Sequence, residues 1–308
     1  MLPEPIMITG GAGFVGSVLT KALAARGQRT VVVDNLSFGK LALIEPLPKG
    51  CTFVRADLRD RAALAEVFRA HQPKTVIHLA ALHFIPYCNE HPLEAMDVNV
   101  IGTRTVLELC RAAKPEQVFF ASSAAVYPLE TSPFREDDPM GPMEIYGSTK
   151  VMGEDLCRLF HYDSGIRTTI GRFFNVYGPN DTNPHLIPEI VSQLQHNGTS
   201  LRLGNLEPVR DFIHVEDVVS AVIALLEARR PGCSVFNIGS GQGYQVTDVV
   251  EAFAAGAGRP LPIVQDPQRI RKVERVRLVA DIRRIREEIG WRPQITFAEG
   301  IRRLIHTQ

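Results

Sequence analysis

The sequence predicts an α/β fold, in which helices cover both faces of a doubly wound parallel sheet and a smaller, mixed α/β C-terminal region follows. Three observations predict it. Short runs rich in Val, Ile, Phe and Thr alternate with segments of helical period. These runs are almost uniformly apolar, which is typical of strands buried on both faces of a parallel sheet. A glycine-rich turn directly follows the first run, where a sheet of this kind binds its ligands.

The strands and helices alternate along the first half of the chain. The predicted strands are IMIT (6–9), TVVVD (30–34), TFVRAD (52–57), TVIHLA (75–80) and QVFFASS (117–123). Helices are predicted between them, as in FVGSVLTKALAARG (14–27) and DRAALAEVFRAH (60–71). Later strands are predicted in RTTIGRFFN (167–175) and CSVFNIGS (233–240). Loops rich in Pro, Asn and Gly, such as YGPNDTNPH (177–185), indicate a more irregular region at the carboxyl edge of the sheet.

Composition argues against several classes of function. The chain has 308 residues, with 34 Lys plus Arg and 34 Asp plus Glu, so no net field favours nucleic acid or an anionic membrane. Five widely spread cysteines show no metal-ligand spacing, so we expect free thiols and no metal site. No leader-like segment begins the chain, and no apolar run approaches the roughly 20 residues that span a bilayer. We therefore expect a soluble, cytoplasmic protein.

A dinucleotide site is indicated by ITGGAGFVG (8–16). Gly10, Gly13 and Gly16 permit a tight turn and close approach of the backbone to a pyrophosphate at the start of the first helix. The second strand ends in Asp34, where a carboxylate would accept hydrogen bonds from the adenosine ribose and favour NAD over NADP; the less favoured alternative is a turn residue with no ligand. The sheet is therefore predicted to be of the Rossmann type. Asp57, after the third strand, is either an adenine contact or a helix cap.

A reactive pair is indicated by YGSTK (146–150). Tyr146 and Lys150 are four residues apart in a segment of helical period, so both side chains project from one face of a helix. A free tyrosine has a pKa of about 10, but a neighbouring ammonium and a cationic nicotinamide ring would both favour the phenolate. Tyr146 could then take a proton from a hydroxyl while hydride leaves the same carbon. Alone, such a pair is more often a solvated helical face.

Several further motifs decide between these readings. They are HLAA (78–81), NVIGT (99–103), RFFNVYGP (172–179), RDFIHVEDV (210–218) and FNIGSG (236–241). With the glycines, Asp34, Ser123 and the Tyr146/Lys150 pair, they make the chain resemble the extended short-chain dehydrogenase/reductase superfamily, specifically its nucleotide-sugar epimerase and dehydratase branch. The resemblance runs nearly from end to end.

The resemblance implies NAD as the cofactor and a division of the chain. Residues 1–174 would form an NAD-binding Rossmann domain that carries the catalytic Ser, Tyr and Lys. Residues 175–308 would form mainly a smaller, mixed α/β substrate domain, with segments around 205–240 returning to the first domain. The implied cofactor contacts are Gly10, Gly13, Phe14, Val15, Gly16, Asp34, Asn35, Asp57, Leu58, Leu79, Ala80, Ala81, Asn99, Tyr146 and Lys150.

The resemblance also implies a serine after the fifth strand that hydrogen-bonds the oxygen being oxidised or reduced. SSAAVY (122–127) aligns Ser123 with this role. Ser122 is the less favoured candidate, and its alternative is to cap the end of the strand without a chemical role. In this family 4,6-dehydratases carry Asp and Glu at the two positions that follow, because elimination needs an extra acid and base. Ala124 and Ala125 can supply neither. UDP-glucuronate decarboxylases usually have a glutamate at the second position, so that activity is disfavoured too.

A 4-epimerase needs no further acid or base. We therefore expect an NAD-dependent isomerase that inverts C4 of a nucleotide sugar, a UDP-hexose or UDP-hexuronic acid, through a transient 4-keto intermediate. The alternatives on the same fold are a UDP-glucuronate decarboxylase and an NADPH-dependent 4-ketoreductase. The alternative from another class is a non-catalytic dinucleotide sensor, which the Tyr146/Lys150 pair disfavours.

The nucleotide-sugar contacts follow from the resemblance. Ser123, Ala124 and Tyr146 would line the sugar site, and Asn175, Arg210 and Arg271 would face the diphosphate. His83 lies in an unusual version of the loop near the sugar, LHFIPYCNEHP (82–92), and either lines the sugar site or belongs to a packed loop anchored by aromatics. The match at Arg271 is loose because Val273 replaces the usual glycine, so Arg269 and Arg275 are alternatives, as is a solvated basic segment. A homodimer is also implied, through GTRTVLELCRAA (102–113) and the helix that contains Tyr146.

Overall fold

The computed structural model of the chain describes residues 1–129, 133–181, 183–196, 200–269 and 275–306. Within this part of the chain, one parallel sheet has seven strands, which are β1 (Ile6–Thr9), β2 (Thr30–Asp34), β3 (Cys51–Arg55), β4 (Thr75–His78), β5 (Gln117–Ser123), β6 (Arg167–Phe173) and β11 (Cys233–Ile238). Their order across the sheet is β11-β6-β5-β4-β1-β2-β3. The strand order reverses between β1 and β4, so the doubly wound, Rossmann-type prediction is confirmed.

Helices cover both faces of this sheet. One face packs against α1 (Phe14–Ala25), α8 (Val215–Glu227) and α10 (Arg283–Ile289). The other packs against α2 (Arg61–His71), α5 (Gly102–Ala113) and α6 (Ile145–Ser164). Two short helices, α3 (Ile85–Glu90) and α4 (Pro92–Met96), lead through a π-helical turn at Asp97–Ile101 into α5. In the described part of the chain, no helix has the length and apolar character needed to cross a membrane.

Local sequence explains where these elements begin and end. Every residue of β1 and β2 is buried, as their apolar runs predict. Helix α2 begins after Asp60, whose carboxylate accepts a hydrogen bond from the Ala63 amide at 3.0 Å. The cap of this helix is therefore Asp60, so of the two alternatives for Asp57 the helix cap is wrong and the cofactor contact stays a prediction. Helix α6 ends at Ser164, and the residue that follows it is Gly165, whose φ of +68° suits glycine.

Short strands build the C-terminal region. Two small sheets have two strands each: β7 (Asn175–Tyr177) pairs with β10 (Phe212–His214), and β8 (Leu201–Leu203) pairs with β13 (Ile263–Gln265). A third sheet has three strands, in which β9 (Val209–Arg210) lies between β12 (Tyr244–Gln245) and β14 (Arg277–Leu278). They pack with α7 (Leu186–Gln195), α9 (Val246–Ala257) and α11 (Phe297–His306) around a separate apolar cluster. Strand β11 belongs to the large sheet and not to this region. The division at residue 174 stays a prediction.

Candidate active site

A cleft of about 1190 Å³ lies between the carboxyl ends of the sheet strands and the C-terminal region. In open α/β sheets, ligands bind in this position. Nearly all the predicted site residues line the cleft, namely Gly10, Gly13, Phe14, Val15, Gly16, Asp34, Asn35, Asp57, Leu58, Leu79, Ala80, Ala81, His83, Ser123, Ala124, Tyr146, Lys150, Asn175 and Arg210. Asn99 lies behind the wall of the cleft, and Arg271 lies outside the described residues.

The glycine turn after β1 is packed so closely that larger residues would not fit. Gly10 has a φ of +72°, and a Cβ atom there would lie 2.7 Å from the Ala80 amide nitrogen. A Cβ atom at Gly16 would lie 2.1 Å from the Gly10 carbonyl oxygen. Helix α1 begins after Gly13 with no side-chain cap, so its first amides are open to a pyrophosphate. This turn therefore fits a dinucleotide.

Asp34 lies at the end of β2 with its carboxylate held by two backbone amides. The Ala12 amide donates to Oδ2 at 3.0 Å, and the Leu36 amide donates to Oδ1 at 2.8 Å. Burial raises the pKa of Asp34 above its ordinary value, while these two hydrogen bonds oppose the rise. Because a carboxylate oxygen has two lone pairs, each can still accept a hydrogen bond from a ribose hydroxyl.

Asp57 is paired with a cation that the sequence analysis did not single out. Its carboxylate accepts hydrogen bonds from Asn35 Nδ2 at 2.8 Å and from the Arg59 guanidinium at 2.8 and 2.9 Å. The Arg59 hydrogen bond holds the pKa of Asp57 well below its usual range. Arg59 also lines the cleft. This end of the cleft therefore contains an ion pair and not an isolated acid. The sequence signal that could have identified Arg59 was its position two residues after Asp57.

Asn99 positions the loop that follows β4. Its side-chain oxygen accepts from the Leu82 amide at 2.7 Å, and its nitrogen donates to the Leu82 carbonyl at 2.8 Å. The same nitrogen donates to Thr149 Oγ1 at 3.0 Å, on the helix that carries Tyr146. This buried amide thereby links the wall around Ala80 and Ala81 to α6.

The two serines of β5 point to different surroundings. Ser122 Oγ donates to the buried carboxylate of Glu154 at 2.6 Å and so belongs to the protein interior. Ser123, the next residue, lines the cleft, as the alternation of side chains along a strand requires. Its Oγ accepts from the Ala125 amide at 3.1 Å and is hydrogen-bonded to the Tyr146 side chain. Ser122 also borders the cleft, but its hydroxyl is bonded to Glu154, whereas the Ser123 hydroxyl is the one beside Tyr146.

Lys150 and Tyr146 lie on one face of α6, against the end of β5. Lys150 Nζ donates to the Ala121 carbonyl at 2.7 Å and lies 5.7 Å from the centre of the Tyr146 ring. Burial lowers the pKa of Lys150 from 10.5 to about 8. Burial also raises the pKa of Tyr146 above its ordinary value, although the hydrogen bond with Ser123 opposes the rise. The sequence suggests that the Lys150 ammonium stabilises the Tyr146 phenolate. In the folded protein without ligands, the effect of burial on Tyr146 is larger and favours the neutral phenol.

Ala124 and Ala125 form the short 3₁₀ turn that follows Ser123. Both are buried, and both line the cleft. Their methyl groups place no acid or base beside Ser123. The Gly147 backbone packs on this turn, since a Cβ atom there would lie 2.5 Å from the Ala125 carbonyl oxygen. The turn is therefore both chemically inert and tightly packed against the start of α6.

Asn175 and Arg210 lie side by side at the far end of the cleft. Asn175 Nδ2 donates to the Asp211 carbonyl at 3.0 Å. Arg210 Nη1 donates to the carbonyls of Val209 and Arg275, at 3.0 and 2.8 Å. Both side chains line the cleft, so the cationic head of Arg210 is held by backbone oxygens close to the space for a ligand.

The two alternatives to Arg271 already have partners. Arg269 Nη1 forms an ion pair with Glu189 Oε1 at 2.8 Å. The Arg275 guanidinium donates to the carbonyls of Ala124 and Ala125, each at 3.0 Å. Both arginines line the cleft, and the guanidinium group of each is already bonded to protein oxygens.

Two loops meet across the sugar end of the cleft. Asn183 Nδ2 and His83 Nε2 are 2.9 Å apart, and the Asn183 amide donates to Asp181 Oδ1 at 3.2 Å. Burial raises the pKa of Asp181 to about 6. Asp181 and Glu144 also line the cleft, and no sequence pattern marks them, because loop composition alone does not say which polar side chains turn inwards.

Comparisons with known proteins show the family and the fold of the chain. The model of the "NAD dependent epimerase/dehydratase family" matches residues 6–239. A UDP-glucose 4-epimerase of Azospirillum brasilense is 33% identical over 315 residues, covering 96% of this chain and 89% of its own. The crystal structure of the Thermotoga maritima UDP-glucose 4-epimerase with UDP-glucose superimposes with a TM-score of 0.91 at 28% identity, covering 98% of this chain and 97% of the other. That of the Thermus thermophilus enzyme with NAD gives 0.87 at 31% identity, with the same coverage.

Proposed function

Since the chain belongs to the NAD-dependent epimerase/dehydratase family, we propose that it inverts C4 of a nucleotide sugar through a transient 4-keto intermediate. The meeting of Ser123, Tyr146 and Lys150 at one edge of the cleft carries this proposal. The next two residues, Ala124 and Ala125, add no acid or base for an elimination.

The protein's own residues bind and orient the two ligands. The amides at the start of α1 would hold the pyrophosphate, and Asp34 would accept hydrogen bonds from the adenosine ribose. When bound, NAD would accept hydride from the sugar carbon and return it, and its positive ring would favour the Tyr146 phenolate. Asn175 and Arg210 would face the diphosphate of the sugar nucleotide.

Proton transfer falls to Tyr146. Its phenol oxygen would take the proton from the C4 hydroxyl and later give it back, while Ser123 Oγ hydrogen-bonds the same sugar oxygen. Lys150 is anchored to the Ala121 carbonyl and would act through its charge, which lowers the cost of the phenolate. Because the sugar would regain both the hydride and the proton, the cycle would consume no cofactor and would leave Tyr146 in its starting protonation state.

We take UDP as the nucleotide and a hexose or hexuronic acid as the sugar. The support is the similarity to proteins named UDP-glucose 4-epimerase, of which the Thermotoga protein was crystallised with UDP-glucose. The proposed compartment is the cytoplasm, where free thiols persist; all five cysteines are unpaired.

We also propose a homodimer through α5 and α6. Their solvent-facing side carries Ile101 just before α5 and three apolar side chains on α6, with 53% of Ile101 and 41, 60 and 87% of Met152, Leu159 and Tyr162 exposed. Leu159→Arg is expected to give a monomer in sedimentation velocity, whereas Val264→Arg, at an exposed apolar position in β13, is expected to leave the dimer intact. A wild-type monomer at micromolar concentration would contradict the proposal.

The central experiment is a substrate panel. The purified protein is incubated with UDP-, dTDP-, GDP- and CDP-sugars, including UDP-glucuronate, and the products are identified by NMR and mass. We expect a C4-inverted UDP-sugar of unchanged mass, formed without net consumption of added NAD or NADPH. Loss of water or carbon dioxide, or stoichiometric use of NADPH, would instead identify a dehydratase, a decarboxylase or a ketoreductase.

A matched pair of variants tests the role of Tyr146. Tyr146→Phe removes the proton-transfer group and is expected to lower kcat by about 10²–10⁴-fold. Tyr162→Phe removes a hydroxyl from an exposed tyrosine of the same helix and is expected to keep wild-type turnover. Equal activity of the two variants would end the catalytic assignment.

A further inference from the structure

Arg275 donates to two neighbouring carbonyls in the wall of the cleft. Its guanidinium reaches Ala124 O from Nη1 and Ala125 O from Nη2, each at 3.0 Å. The residue is about nine-tenths buried. The two acceptors belong to the turn that directly follows Ser123, and the planar fork of arginine suits two adjacent oxygens in a way that a lysine ammonium cannot.

Arg275 is also close to the segment that leads into Tyr146. Its Nη2 lies 3.8 Å from Glu144 Oε2, and Glu144 immediately precedes the first residue of α6. This acid partly balances the buried charge, since burial lowers the pKa of Arg275 while Glu144 acts in the opposite sense. Arg275 therefore touches both segments that bring Ser123 and Tyr146 together.

The main chain of Arg275 connects this arrangement to the nucleotide end of the cleft. Its carbonyl accepts a hydrogen bond from Arg210 Nη1 at 2.8 Å. A movement of Arg210 towards a diphosphate would therefore act directly on the backbone of Arg275. If the Arg275 side chain turned to a phosphate itself, it would leave the carbonyls of Ala124 and Ala125 without these buried donors, which is unfavourable.

We propose that Arg275 is a positioning residue, which holds the turn after Ser123 in register with Tyr146 and links it to the diphosphate contact at Arg210. The proposal rests on the proposed function, because Ser123, Tyr146 and Arg210 have their roles there. Arg275 itself contacts no reacting atom. It acts through the placement of Ser123, for which an error of about 1 Å can cost 10²-fold in rate.

The test compares Arg275→Met and Arg275→Lys with Arg277→Met. Arg277 is the matched control, because it lies in the adjacent strand β14 and its side chain approaches Gly243 and not the turn. In Arg275→Met we expect kcat to fall by about 10²-fold while KM for the sugar nucleotide and Kd for UDP stay within about twofold. Arg275→Lys, which keeps the charge without the fork, is expected to lie between Arg275→Met and wild type. Arg277→Met is expected to match wild type.

A second measurement does not depend on activity. Hydrogen–deuterium exchange of a peptide that covers residues 121–129 should become faster in Arg275→Met and stay unchanged in Arg277→Met. If the wild type epimerises no sugar nucleotide, faster exchange still supports the anchoring of the turn, and only the proposed function fails. If KM and the UDP Kd rise while kcat and exchange stay constant, Arg275 binds phosphate and the proposal is overturned. If Arg275→Met does not fold, Arg275→Lys is judged by the same criteria.

Discussion

Replacement of Glu154 by Gln removes a buried negative charge directly beneath the candidate active site. Glu154 Oε1 accepts from Ser122 Oγ at 2.6 Å and from Arg172 Nε at 2.8 Å. Its Oε2 accepts from Arg172 Nη2 at 2.8 Å and from Arg158 Nη2 at 2.9 Å. The side chains of Arg172 and Glu154 are 1% and 0% exposed. Glutamine keeps the shape of the side chain but replaces one acceptor oxygen by an NH2 group, so the substitution removes the charge and one hydrogen-bond acceptor together.

The expected cost follows from this burial. Removal of one partner from a buried ion pair costs about 3–5 kcal/mol, because the other charge stays buried without compensation. In a chain of this size, each kcal/mol lowers the melting temperature by about 2 °C, so we expect a fall of about 6–10 °C. The matched control is Arg158→Gln, which removes the partly exposed partner of the same carboxylate and should cost no more than about 1 kcal/mol.

Thermal unfolding followed by circular dichroism measures both variants. Burial alone would raise the pKa of Glu154, but hydrogen bonds from Arg172 hold it below the ordinary value of 4.5. Its contribution to stability is therefore present above pH 4.5 and is lost as the pH falls further, so the wild type and Glu154→Gln should converge in acid. A melting temperature for Glu154→Gln within 2 °C of Arg158→Gln at pH 7 would refute the reasoning.

Three further predictions concern the site and its supporting helix. The pKa of Lys150 is lowered from 10.5 to about 8, so between pH 8 and pH 10 the unfolded chain binds more protons than the folded protein. The free energy of unfolding of wild type, measured relative to Lys150→Met, should therefore rise by about 2 kcal/mol over this range. A difference that stays constant with pH would show that Lys150 is not desolvated. Gly153→Ala places a Cβ atom 2.4 Å from Phe120 Cζ and should cost about 1–3 kcal/mol by urea unfolding, against less than about 0.5 for the exposed Asp155→Ala; equal costs would contradict the packing. Asp34→Ser should weaken NAD binding about tenfold in calorimetry and reduce the preference over NADP; an unchanged NAD/NADP ratio would remove Asp34 from the ribose site.

The sheet could be predicted from sequence because its strands are marked by local pattern. The runs at 6–9, 30–34 and 117–123 coincide with β1, β2 and β5 to the residue. Each run is apolar and ends at a change of character, so no information from distant parts of the chain is needed. The same locality explains why the sequence left the role of Asp57 open: two acids three positions apart both suit a helix cap, and only the folded turn selects Asp60.

The site was predicted only as far as its motifs extend. Ser123, Tyr146 and Lys150 lie at motif positions, and the structure brings them together at the cleft. The partners of Arg275 could not be predicted, because Ala124 and Ala125 are about 150 residues away and offer only backbone oxygens, which every residue has. For the same reason, the long-range contact between Asn183 and His83 has no signal in either loop alone.

Strand β11 lies next to β6 in the sheet but is far from it in the sequence, and this separation matters while the chain is being synthesised. Strand β6 ends at Phe173, but its outer neighbour is complete only at Ile238. At about 5–20 residues per second, the ribosome needs roughly 3–13 s to make the intervening segment. If the earlier strands have already paired during that time, β6, whose interior residues are buried in the finished protein, is the open edge of the sheet. The nascent enzyme therefore passes through a stage in which strand pairing with another copy competes with its own completion, and slow translation between residues 173 and 238 lengthens that stage.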